Sequence, residues 1–184
     1  VTAMTSTATA LPMPMILCDY LLCYPFVDMS ITDPQDMTNT NVLTRYTDGE
    51  GVQVMAVLTN AGVGGQSFYF TYTNQDGTSG RTSQTVTMNS ATAIGSIITS
   101  NVSTVNVSGN PFIGLQDGDS GVRSIESVTM LGGDVGLFAL VLVKPLMWTA
   151  INETTAPYEK DVLLIGGDIP RIYERGTYHF PTIP

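Results

Sequence analysis

Short runs of β-branched and aromatic residues, separated by Gly, Asn and Asp, commit this chain to an all-β fold. Val52, Val54, Ala56 and Leu58 alternate with Gln53, Met55, Val57 and Thr59, so an extended strand here has one apolar and one mixed face. The run Phe68-Tyr69-Phe70-Thr71-Tyr72-Thr73 favours a pleated surface, and alternation gathers Phe68, Phe70 and Tyr72 on one face, as core. Asp76-Gly77 marks a turn from this run to a segment at 85–88. Further β-type segments fall at 94–98, 102–107, 122–130 and 135–143. Between them Gly62-Val63-Gly64-Gly65 reads as a flexible hairpin loop and Gly132-Gly133-Asp134 as a hairpin turn. Glu and Lys are scarce and Thr and Ser abundant, so almost nothing reads as helix. Short strands with such turns predict an antiparallel β-sandwich, jelly-roll-like in its layout.

Both ends depart from this pattern. Residues 1–15 form a Thr/Ala/Met/Pro tract in which Pro12 and Pro14 bar a helix or a central strand, so the tract reads as an extended N-terminal arm. Residues 16–145 are the expected sandwich core, with Pro25 breaking an apolar and aromatic run near its start. From 146 to 184 the strand pattern gives way to Pro157, Pro170, Pro181 and Pro184, with short strand candidates at 162–165 and 169–173. This is the C-terminal arm. Neither end can build a core of its own, which makes both candidates for attachment to neighbours. Met4, Leu11, Met13 and Met15 offer flexible apolar side chains for a groove on another protein. Tyr173, Tyr178 and Phe180 offer aromatic anchors, Arg171 and Arg175 can pair with acidic neighbours, and His179 belongs to the same strip. A C-terminal segment folded back on its own sandwich as an edge strand is the open alternative.

Charge narrows the function. Seven Lys and Arg face sixteen Asp and Glu, a net charge of −9, which argues against a protein that neutralises phosphates, so no nucleic acid partner is expected. The longest apolar run, 135–143, is about half of what a membrane-spanning helix needs, so no membrane is expected either. The opening residues lack the basic and continuous apolar regions of a secretory signal, which suggests a cytoplasmic chain or one already processed. Cys18 and Cys23 are five apart, so on one strand they point to opposite faces; two reduced, buried thiols are expected. One His and two Cys cannot close a zinc site.

Each catalytic template fails in turn. Gly118-Asp119-Ser120-Gly121 matches the stretch around the nucleophile of chymotrypsin-like proteases, whose serine needs a histidine base lying earlier in the chain. The one histidine, His179, lies after it, and Val122 replaces a further glycine. Asp117-Gly118-Asp119-Ser120-Gly121 also resembles the opening of a calcium loop, but the fifth position is Gly121 and the twelfth Val128, where an EF-hand needs oxygen ligands. Glycines 62, 64 and 65 lack the following Gly-Lys-Ser/Thr and helix of a phosphate loop. The expectation is a polar turn at 117–121, no catalytic residue, no metal and no cofactor.

Two stretches, residues 49–72 with Gln75-Asp76-Gly77, and residues 118–146 containing Gly121-Val122-Arg123-Ser124-Ile125-Glu126-Ser127-Val128, resemble small virion structural proteins of tailed bacteriophages. Within that group the chain is most similar to a capsid decoration or cement protein. The resemblance covers about the central two-thirds of the chain and carries no family site residue onto it. It implies a non-enzymatic protein on the capsid exterior, assembled in the host cytoplasm. Its implied partners are the major capsid protein and copies of itself, as a trimer. A tail-tube subunit and a fibre or receptor-binding subunit are the alternatives.

Overall fold

The computed structural model describes residues 2–3, 11–37, 42–88, 93–98, 111–153 and 158–159, and every regular element among them is a β-strand. In chain order these are β1 (Thr2–Ala3), β2 (Met13–Asp28), β3 (Gln35–Asp36), β4 (Gln53–Asn60), β5 (Ser67–Asn74) and β6 (Arg81–Thr82). There follow β7 (Val86–Thr87), β8 (Ile97–Ile98), β9 (Val122–Met130), β10 (Leu137–Ile151) and β11 (Tyr158–Glu159). One sheet has the order β2-β10-β4-β8, and a second has β3-β9-β5-β6 with β7 also paired to β5. The chain is therefore an all-β sandwich of two antiparallel sheets. The strand candidates at 102–107, 162–165 and 169–173 lie outside the described residues.

The chain divides into two compact units, residues 20–143 and residues 1–19 with 144–184, the division falling inside β2 and β10. In the second of these, β1 pairs antiparallel with β11, Thr2 opposite Glu159 and Ala3 opposite Tyr158. Two expectations about the ends need correction. Residues 13–15 belong to β2, and Pro14 is tolerated there because β2 is the outer strand of its sheet, where a missing N–H costs no ladder bond. The strand pattern also outlasts residue 145. The β10–β4 register ends at Val143 opposite Gln53, so Pro145 has no partner carbonyl to fail on that side, and β10 runs on to Ile151.

In the 20–143 unit, Phe68, Phe70 and Tyr72 are fully buried, as their alternation predicts. They form one cluster with Val54, Ala56 and Leu58 of β4, Phe138, Leu140 and Leu142 of β10, and Val122, Ile125, Val128 and Met130 of β9. The rings of Phe68 and Phe138 lie 4.8 Å apart and tie one sheet to the other. Ala139, Val141 and Val143 on the opposite side of β10 are buried as well, which accounts for its unbroken apolar run. Pro25 does not end β2, which continues to Asp28 through Phe26 at a φ of 65°. Cys18 and Cys23 form no disulfide, and both are half-buried on β2 where burial was expected.

The turn at Asp76-Gly77 does join a hairpin, with Thr82 opposite Thr71 and Val86 opposite Phe68. The two other glycine turns do not. β4 and β5 lie in different sheets, as do β9 and β10, so residues 61–66 and 131–136 are crossovers between layers. Glycine permits the chain reversal, but which sheet receives the next strand is decided by burial, since β5 and β10 each need an apolar face opposite their own.

Candidate functional site

The connections at one end of the 20–143 unit bring together the residues that the sequence offers for chemistry. β9 sets this up with two bulges. Its pairing with β5 skips Glu126 between Ser127 and Ile125, and Arg123 between Ser124 and Val122. A bulged residue leaves the ladder and re-aims its side chain. The Glu126 carboxylate accepts from the Thr73 hydroxyl at 2.8 Å and from the Gly80 amide at 3.1 Å. Arg123 donates through Nε to the carbonyls of Asp48 and Gln75, and through Nη2 to the Gln75 carbonyl again.

Asp119 is the centre of this end. Its carboxylate accepts from the Tyr72 hydroxyl at 2.6 Å, Asn74 Nδ2 at 2.8 Å, Arg81 Nε at 2.8 Å and Arg81 Nη2 at 3.1 Å. The side chain is only 3% exposed and that of Arg81 25%, so the ion pair is largely shielded from solvent. Arg81 first, then the Tyr72 and Asn74 donors, outweigh desolvation and hold the Asp119 carboxyl down at about 2. Burial first, then its bond to Asp119, pushes the Tyr72 phenol up to about 12. The same phenol oxygen accepts the Gln116 amide at 2.9 Å, so one tyrosine of the core joins the 116–119 turn to the hairpin.

Ser120 is placed where a nucleophile could stand but is otherwise engaged. Its hydroxyl donates to Glu50 Oε2 at 2.7 Å. Its amide and that of Gly121, the groups an oxyanion hole would use, both donate to Gln75 Oε1, at 3.1 and 3.2 Å. Gly121 bridges to Glu50 so closely that an added Cβ would sit 1.9 Å from the Gly49 carbonyl oxygen. Asp119 closes a turn back to the Gln116 carbonyl, which is the polar turn the sequence predicts. A metal at Asp119 would have to displace Arg81, Tyr72 and Asn74 together. Among the described residues no group of three His, Cys, Asp or Glu is arranged to hold a metal ion.

At the other end of the unit the glycine loop at 62–65 already holds an anion, and it belongs to the protein. The Asp134 carboxylate accepts the amides of Val63 at 3.2 Å and Gly64 at 2.7 Å, and that of Val135 at 2.7 Å. These amide bonds keep the Asp134 carboxyl below the usual carboxylate range against its desolvation.

Of the residues singled out for partner contact, Leu11 is exposed and Met13 and Met15 are half-buried on β2. Met4, Arg171, Tyr173, Arg175, Tyr178, His179 and Phe180 lie outside the described residues. Sequence reasoning missed Tyr72, Asn74, Arg81 and Gln75 as partners of the 117–121 turn. One signal was available: buried Val122, Ile125 and Val128 are three apart where a regular strand needs two, and that spacing marks the bulges. No family model, curated protein or solved structure matches this chain.

Proposed function

We propose that this chain is a structural subunit of a virion, bound on the capsid exterior as a decoration or cement protein. It works as a trimer of itself on the major capsid protein. The observation that carries the reading is the strand order. Two four-membered rows, β2-β10-β4-β8 and β3-β9-β5-β6, with the chain changing sheets at most connections, support a double-sheet jelly-roll layout. Jelly rolls recur in viral capsid and lectin domains, and this support is fold-level analogy. The closed hydrogen bonding around Asp119 and Ser120 agrees with a role for the 117–121 turn in holding strands together.

The strand order also favours a second reading, a receptor-binding subunit of the same particle, because lectins share it. Quantitative mass spectrometry of purified particles, with imaging of labelled copies, separates the two. High copy number over the whole head is the expected result. Copies confined to a fibre tip would replace the first reading by the second, and absence from the particle would overturn both.

A further inference from the structure

The end of the 20–143 unit opposite Asp119 carries several exposed apolar side chains. Val63 is 68% exposed, Leu131 58% and Val135 60%, and Ile31 is exposed beside them. The connections that bear them lie side by side. A Cβ on Gly62 would lie 2.8 Å from the Val135 carbonyl, one on Gly133 3.6 Å from the Ser30 carbonyl, and the Leu131 amide donates to Ser67 at the start of β5. Apolar side chains gathered and exposed in this way mark a binding surface more often than chance.

Its charges are of one sign. Asp28 ends β2, exposed Asp33 follows Ile31 on the connection to β3, and exposed Asp36 lies on β3. The described cations lie elsewhere: Arg81 and Arg123 serve the Asp119 end, Arg45 donates to the Tyr20 carbonyl, and Lys144 follows Val143, opposite the start of β4. A fitting partner is apolar and aromatic, and brings positive charge to these carboxylates. Residues 169–184 have that composition: Ile169, Ile172, Tyr173, Tyr178 and Phe180, with Arg171 and Arg175 against a single acid, Glu174.

We infer that the apolar end of one copy receives residues 169–184 of a second copy. Such a contact joins two different surfaces, and three copies each passing this segment to the next close a ring, in keeping with a trimer. The inference rests on the reading of the chain as an assembling subunit and names the two surfaces that assemble.

The test is sedimentation velocity of the full chain at micromolar concentration, with three variants. Leu131→Asp, at an exposed position, and Arg171→Glu with Arg175→Glu should each weaken self-association at least tenfold. Asp33→Lys with Asp36→Lys should do the same alone and restore association when combined with the two arginine reversals. A monomeric wild-type chain, or association indifferent to the variants, would overturn the inference. Particle copy number tests the virion reading separately, so the two can fail independently.

Discussion

The two ends of the 20–143 unit are built from the same strands and differ in how they are closed. At one end Asp119, Glu126, Arg123 and Gln75 bind across three connections, and donors and acceptors are spent on each other. At the other, a single carboxylate, Asp134, gathers the loop amides and leaves Val63, Leu131 and Val135 facing solvent. Tightly packed glycines occur at both ends, Gly121 at the first and Gly62 and Gly136 at the second, so the useful contrast is between single positions. Gly121 is demanded by a carbonyl 1.9 Å from where a Cβ would stand, whereas a Cβ on Gly65 meets nothing and only its φ of 84° favours glycine. One end ties its connections to the β9-β5-β6 strands, and the other leaves apolar side chains exposed.

Substitutions at the locked end should separate the two most sharply. Gly121→Ala drives a side chain into backbone and should cost about 3 kcal/mol or more, measured by chemical denaturation. Gly65→Ala should cost only about 1 kcal/mol, the strain of a left-handed residue in open space. Equal costs would break the contrast. Asp119→Ala leaves Arg81, Tyr72 and Asn74 without their acceptor and should cost about 2–3 kcal/mol by the same measurement.

The core of this fold was legible because alternation is a strict code. Phe68, Phe70 and Tyr72 could share only one face, and that face is the interior. Connectivity was not legible. The turns at 62–65 and 132–134 have hairpin chemistry, yet both join strands of different sheets, because the choice of sheet depends on which apolar faces meet. Pro25 also misled: a missing N–H matters only where a neighbouring strand would use it, and that is a tertiary fact. The Asp119 site was half legible. Its Gly-Asp-Ser-Gly turn stood out, but its partners come from residues 38 to 47 positions earlier, brought near only by the β5 hairpin.

Acid should weaken the locked end progressively. Asp119 has its carboxyl depressed to about 2, so its contribution is complete above the ordinary carboxylate value of about 4 and is lost as pH falls through about 2. Thermal melts from pH 5 to pH 2 should therefore fall more steeply for the wild type than for Asp119→Asn. Parallel curves would remove Asp119 from the account of stability. The smallest effect belongs to the other end. Leu131→Ser should change the stability of the isolated chain by less than about 0.5 kcal/mol, as at ordinary surface positions. A larger loss would mean that this surface is packed within the chain.

The most direct test of the locked end is the titration of the Asp119 carboxyl carbon by NMR in the intact chain, with and without calcium. A closed internal latch predicts a midpoint near 2, unchanged by calcium. A midpoint near the ordinary value of about 4, or a resonance that moves on adding calcium, would mean that the carboxylate is free to bind or react, and would contradict it.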